Sequence, residues 1–400
     1  MQKKIIALAI AGLASTAAFA QTNVTIYGSV DAGYTYRYDA MKGGANASSR
    51  SSIDTGNSAG NRLGFKGVED LGNGLKAVFL LEQGFNFDSG SQGQGGKMFG
   101  RQAYVGLTGG FGTAVAGRLY TPHFSFVSGL DPFAAGTVGE YRNVWGNTAV
   151  AGNVANLIDP TRVDNAVAYI SPNFGGFDVT LAYSNAASAD DNATGNYNTT
   201  SMVSGNQANG YATTEYPGNN AKNNTVYAVL AKYAAGPVVV GLNLHRIAAG
   251  SGVPNTTLET LDNYTLGGSF DAKVVKISAV ASYTDMQASG PNTSGAVSNY
   301  MLGLTAPIGK FAIKGSVNYS DFNGEAANGV FKGGYATQYA IGADYNLSKR
   351  TNLYTAYSLI DASSARASSI YGTGDASNSG LAGANNPFQQ GFTMGVRHQF

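Results

Sequence analysis

The sequence lacks cysteine altogether and contains only 10 prolines and three histidines in 400 residues. Without cysteine the chain can form no disulfides, so its stability must come from hydrogen bonding and packing. The absence of cysteine also removes the common zinc sites, and none of His123, His245 and His398 has metal-ligand spacing. We therefore expect neither a metal nor another cofactor.

Long apolar runs and an excess of one charge are missing as well. After residue 20 no apolar run reaches the ~18 residues that predict a transmembrane helix. The formal net charge of +1 gives no sign of a nucleic-acid partner. Serine and aspartate are plentiful, but no histidine neighbourhood supports a catalytic triad, so we do not expect an enzyme.

The N-terminus has the pattern of a secretory signal peptide. Lys3 and Lys4 precede an apolar stretch from Ile5 to about Leu13, and a small-residue cleavage site ends at Ala20. The apolar stretch is shorter than the ~20 residues of a membrane-spanning helix. We expect residues 1–20 to be removed and residues 21–400 to form the mature domain.

Glycine and aromatic residues are abundant, with 55 Gly, 24 Tyr and 19 Phe. This composition is typical of strands, tight turns and membrane-interface belts. In the segments 264–271, 275–284 and 311–320, apolar residues alternate with polar or small ones. Each run is about ten residues, the length of a tilted strand that crosses a bilayer, whereas sandwich strands are usually about half as long. The pattern favours a transmembrane β-barrel.

Short connections alternate with long ones along the chain. Seven short connections, such as 109–112 and 307–310, carry residues typical of tight hairpins. Eight longer polar segments separate them: 39–60, 87–97, 119–161, 186–222, 248–260, 287–298, 322–334 and 362–389. Fifteen connections predict 16 antiparallel strands, and barrels of 14 or 18 strands remain alternatives. Short turns on the periplasmic side and long external loops are typical of outer-membrane barrels. A closed sheet of this size leaves an aqueous channel.

Several motifs resemble one family across most of the chain. They are Asn61–Gly72, Gly74–Ala77, Phe99–Leu107, Ser171–Phe177, Leu347–Thr351 and Gly395–Phe400. Together they resemble the Gram-negative general porins, most closely the trimeric porins of Neisseria, Comamonas and Burkholderia relatives. The terminal Phe400 resembles the assembly signal of bacterial outer-membrane proteins. The resemblance implies a homotrimer in which the third external loop folds into the lumen.

The longest connection, residues 119–161, matches that constriction loop and carries the carboxylates Asp131 and Glu140. Alternation places Glu82 and a set of cations on the inner face of the strands. We expect the basic side of the constriction to include Arg62, Lys66, Lys76, Arg101, Arg118 and Arg162. Arg62, Arg101 and Arg162 match arginines of related anion-preferring porins. Rings of such charges set ion preference.

The sequence thus predicts a passive diffusion channel for ions and small hydrophilic solutes across the outer membrane, with a weak preference for anions. Its expected surroundings are outer-membrane lipid and lipopolysaccharide, with no nucleic acid. Two alternatives remain at this point. One is a substrate-specific channel of the same fold, and the other is an occluded structural or adhesive barrel.

Overall fold

In the computed structural model, residues 23–40, 48–145, 160–185, 225–248, 258–288, 295–325, 332–363 and 388–400 are described. The predicted signal peptide and most of the long loops lie outside these ranges. One antiparallel sheet contains every strand of these described ranges. The strands are β1 Asn23–Ala40, β2 Ser48–Thr55, β3 Arg62–Gly72, β4 Leu75–Gly84, β5 Gln102–Gly109, β6 Gly112–Tyr120, β7 Arg162–Ile170, β8 Phe177–Ser184, β9 Thr225–Ala235, β10 Val238–Ala248, β11 Leu258–Asp271, β12 Lys276–Ala288, β13 Gly295–Ile308, β14 Phe311–Glu325, β15 Lys332–Asn346, β16 Thr351–Ala362 and β17 Phe388–Gln399.

The sheet closes on itself because β1 pairs with both ends of the strand order. On one side, Ser29 to Ala40 pair with β17. On the other side, β1 pairs with β3 through its first residues and with β2 through its last. The segments β2 and β3 therefore share one position, and the 17 strands occupy 16 positions. The predicted 16-stranded barrel is confirmed, with one correction: the segment 39–60, expected to be a loop, contains strand β2.

The two faces of the sheet differ in chemistry as the alternation predicts. Outward residues are large and apolar, and Leu266, Ile341 and Val105 are more than half exposed. Inward residues are mostly polar and buried within the barrel, among them Thr35, Asn263 and Ser320. An apolar exterior around a polar interior is the arrangement of a membrane-spanning barrel. Among the described residues, no helix is long and apolar enough to span a membrane.

Aromatic side chains gather at two levels of the outer face. Toward the long loops, tyrosines lie directly opposite each other on neighbouring strands, as Tyr264 does with Tyr283 and Tyr300 with Tyr319. At the opposite end, Phe177 pairs with Tyr233 and Phe311 packs 4.6 Å from the ring of Tyr345. Two such aromatic belts mark the two membrane interfaces.

Candidate ion-selective constriction

The connection between β6 and β7 turns into the barrel and is described over residues 121–145 and 160–161; we call residues 121–161 the constriction loop. It begins with a loop helix, Pro122–Leu130. Thr121 caps this helix, because its Oγ1 accepts the Phe124 N–H at 3.1 Å and donates to the Pro160 carbonyl at 2.6 Å. Proline at the first helical position needs no hydrogen-bond partner for its nitrogen. The cap thus ties the two ends of the loop together.

Glycines on the opposite inner wall receive the apolar side chains of the loop. A Cβ atom on Gly241 would lie 2.7 Å from the Phe126 ring, and one on Gly267 would lie 2.8 Å from Leu130. Farther along the loop, Gly303 faces Pro132 and Gly342 faces Phe133 at similarly short distances. A row of glycines across β10, β11, β13 and β15 therefore lets the loop lie flat against one side of the barrel.

Gly267→Val is expected to lower the single-channel conductance. The three atoms nearest to a Cβ at this position belong to the side chains of Leu130, Val280 and Phe126, and the shortest approach, 2.8 Å, is to Leu130 of the loop. We therefore expect the loop to move. Overpacking of this kind costs about 1–3 kcal/mol, and the displaced loop enters the open part of the lumen. The matched control is Gly315→Val, because a Cβ there meets only the Ala340 carbonyl at 3.6 Å. Equal conductance in Gly267→Val and the control would contradict this role of the glycine row.

The two predicted loop carboxylates lie within the loop's own hydrogen-bond network. Asp131 ends the loop helix and accepts the backbone N–H groups of Phe133 and Ala135 at 3.1 and 3.0 Å. Its burial raises the pKa of this carboxyl to about 6, although those N–H groups oppose the shift. Glu140 is 1% exposed and pairs with Arg142 at 2.6 Å. Their role as the acidic side of the constriction remains a prediction.

Residues 137–143 of the loop are held against the barrel wall by hydrogen bonds. Asn143, in the short helical turn Arg142–Trp145, donates to the Gln338 side chain at 2.9 Å. Gln338 in turn donates to the Gly139 carbonyl at 2.8 Å and to that of Glu140 at 3.0 Å. The Thr137 N–H also donates to the carbonyl of Asn57. These contacts place the loop between β15 and segment 56–61, which connects β2 to β3.

Segment 56–61 is held inside the barrel by a carboxylate of β1. Asp31 accepts the backbone N–H groups of Ser58 and Ala59, each at 2.8 Å, and the Tyr354 hydroxyl at 2.5 Å. All of these groups are at least partly buried. Sequence reasoning missed this anchor, because Asp31 differs in no local feature from the other inward polar residues of β1.

The predicted arginines gather around Glu82, on the side of the lumen formed by β3–β7. The Arg101 Nε lies 2.7 Å from Glu82 Oε1, and the Arg62 Nε lies 3.9 Å from Glu82 Oε2. Glu82 also accepts the Tyr27 hydroxyl at 2.8 Å. One buried carboxylate therefore orients two guanidinium groups.

Tyr120, the last residue of β6, joins this group to Arg162. Its hydroxyl accepts a hydrogen bond from Arg101 at 2.7 Å and another from Arg162 at 3.0 Å. The Arg162 guanidinium lies 4.7 Å from the centre of the same ring, within the range of a cation–π contact. The structure thus brings Arg62, Arg101 and Arg162 together. We call these three arginines, with Glu82 and Tyr120, the arginine cluster.

Arg118 lies beside this cluster with a carboxylate that sequence reasoning missed. Arg118 pairs with Asp164, donates to the Gly100 carbonyl at 2.7 Å, and shares Asp164 with Lys97, whose Nζ lies 2.8 Å away. Asp164 follows Arg162 by two residues on an alternating strand, and this spacing could have identified it as inward-facing. Lys97 fell within a segment that was expected to be an external loop.

Lys66 and Lys76 lie farther from the arginine cluster. Lys66 places its Nζ 5.2 Å from the centre of the inward Tyr27 ring. Lys76 is exposed at the periplasmic end of β4, opposite Thr108 of β5. Among the described residues, no group of three acidic or histidine side chains could hold a metal ion.

Comparison with known proteins agrees with the barrel fold. Residues 7–365 match the family model described as Gram-negative porin. The chain is 32% identical to an outer membrane porin protein of Bordetella pertussis, over 88% of this chain and 93% of that protein. It is 30% identical to outer membrane porin protein 32 of Delftia acidovorans, over 100% of both chains. Among solved structures, the anion-selective porin from Comamonas acidovorans superposes with a TM-score of 0.71 at 28% identity, covering 95% of this chain and 100% of that one.

Proposed function

The chain belongs to the Gram-negative porin family, a family of passive outer-membrane channels, and from that premise we propose that it conducts small anions in preference to cations. The proposal extends to the residues responsible, which are the arginine cluster and its neighbours. The similar structure from Comamonas acidovorans is described as anion-selective, which supports the same sign of preference.

The gathering of cations around the constriction is the observation that carries the proposal. They lie about the carboxylates Glu82, Asp164 and Glu140 of the described residues. Glu82 pairs with two arginines, Asp164 pairs with Arg118 and Lys97, and Glu140 pairs with Arg142. Arg162 adds a sixth cation through Tyr120. Six cations are thus gathered in one part of the lumen, where they would concentrate anions at the constriction.

The proposed setting is a homotrimer in the outer membrane, exported through the signal at residues 1–20. The resemblance of the sequence to trimeric porins supports the assembly. Lipid would cover the apolar outer faces, and lipopolysaccharide would meet the external rim. Arg246, exposed near the external end of β10 beside Asp262, is one cation that such headgroups would contact. The porin relatives favour neither a dedicated substrate channel nor an occluded barrel.

A planar-bilayer measurement on the purified protein is expected to give conductance steps in groups of three. Under a potassium chloride gradient, the reversal potential should have the sign of net chloride movement, because the cations gathered at the constriction attract anions. High ionic strength should weaken the preference, since salt screens partly exposed charges.

A reversal potential of the opposite sign would overturn the proposed anion preference. Steps of a single size would contradict the trimer. No conductance from correctly folded protein would mean that the barrel is occluded, and the function would then have to be sought in the external loops.

A further inference from the structure

A cavity of about 650 Å³ lies inside the barrel between the loop helix and the inner wall of β4–β12. We call it the inner chamber. Its wall reaches toward the short turns, with Thr108, Thr113 and Ile170 at strand ends next to those turns, so it occupies the periplasmic half of the lumen. Solutes that pass the constriction from outside enter it next.

The wall of the inner chamber is more apolar than the lumen of a water-filled barrel requires. Inward positions on β4 and on each strand from β6 to β10 are occupied by Val78, Val115, Ile170, Ala182, Leu230 and Val239. On β11, β12 and β14, at a similar height, the inward residues are instead Ser269, Ser278 and Ser316. Polar residues normally fill the inward positions of a water-filled barrel. We call the six apolar residues the apolar arc, and a passive channel for inorganic ions has no need of it.

Cations lie at the edge and the roof of the same chamber. Lys276 is half-buried in the lining and has no ion pair among the described residues. Lys232 also lines the chamber and pairs with Asp178 at 3.3 Å. At the roof, Tyr120 carries the hydroxyl that Arg101 and Arg162 both contact. A carboxylate could therefore meet a positive field while its apolar part covers the arc.

We propose that the inner chamber is a binding subsite for amphipathic carboxylates, in particular aromatic carboxylates such as benzoate. Covering the apolar arc is favourable in proportion to the area removed from water, and inorganic anions gain nothing from it. The half-buried ring of Tyr104 supplies an aromatic face to a planar ligand. Lys276 holds the carboxylate. The inference deepens the proposed anion channel and rests on it, because the ligand must first pass the arginine cluster.

The test uses the full-length trimer in planar bilayers, with sodium benzoate or sodium acetate added to a potassium chloride solution. Both probes carry one carboxylate, and only benzoate carries a ring. Benzoate is expected to reduce the mean chloride current, with added current fluctuation, at concentrations several-fold lower than acetate. Val115→Thr/Ile170→Thr/Val239→Thr places hydroxyl groups on the arc and should abolish the difference between the probes. Lys276→Gln should weaken the block by benzoate several-fold.

Lys310→Gln is the matched control, since it removes the same charge from an exposed turn between β13 and β14. Equal block by benzoate and acetate would overturn the inference, and so would a benzoate block that the threonine variant and Lys276→Gln leave unchanged. If the triple variant fails to fold, Val115→Thr alone should still reduce the difference between the probes. The reversal potential in chloride is measured separately. If the reversal potential shows anion preference but benzoate blocks no better than acetate, only the subsite is refuted. If the reversal potential shows cation preference, the proposed anion preference is refuted.

Discussion

Arg62→Ser/Arg101→Ser/Arg162→Ser is expected to shift the reversal potential from anion preference toward cation preference. The three guanidinium groups meet at Glu82 and Tyr120, so their positive charge is concentrated at one place in the lumen. Removing one unit charge about 4 Å from a permeating ion changes its energy by ~1 kcal/mol in bulk water and ~4 kcal/mol at an effective dielectric constant of about 20. Because ~1.4 kcal/mol is a tenfold change, the permeability ratio should fall several-fold at least.

The same variant leaves Glu82 without its arginines, and this needs its own control. Glu82 is 4% exposed, and an unpaired buried carboxylate is costly. Adding Glu82→Gln removes that charge and should restore the yield of folded protein while keeping the loss of anion preference. Lys310→Gln, outside the lumen, should leave selectivity unchanged. Unaltered selectivity in the folded quadruple variant would show that these arginines do not set the preference.

The barrel could be predicted because its signal is local and repeated. Nearly every strand carries its own alternation, and most short turns carry a glycine, asparagine or proline, so errors in one element do not spread to the next. Strand β2 is the exception. Of its outward residues, Ser49, Ser51 and Ile53, only the last is apolar, so no alternation marks the strand. Its existence depends on pairing with the last residues of the long β1, which no local alternation indicates.

The candidate site was predictable residue by residue but not as an arrangement. Alternation is sufficient to place Arg62 on the inner face, and resemblance selects Arg101 and Arg162. That all three meet through Glu82 and Tyr120 depends on the register between β3, β4, β5, β6 and β7, which no local pattern contains. The glycine row and the apolar arc are likewise products of neighbouring strands that place similar residues at one height.

Phe400 lies at the seam where the last strand of the sheet pairs with β1, and it is the other position where a large effect is expected. Its N–H donates to the Gly28 carbonyl and its carbonyl accepts the Gly28 N–H, both at 3.1 Å. Its ring lies over Gly28, where a Cβ would approach it to 2.4 Å. Deleting Phe400 is expected to reduce the yield of trimer in the outer membrane strongly. The two lost hydrogen bonds are worth about 0.5–1.5 kcal/mol each in water, and the missing terminal aromatic removes the predicted assembly signal.

Phe400→Ala separates these two causes, because it keeps both backbone hydrogen bonds and removes only the ring. If the ring is the signal, this variant assembles as poorly as the deletion, and Phe400→Tyr restores the yield. If closure of the seam dominates, Phe400→Ala assembles nearly normally and only the deletion fails. Normal trimer yield for the deletion itself, measured in outer-membrane fractions, would contradict both. The ring is 45% exposed on the outer face, so an assembly factor could reach it before the seam closes.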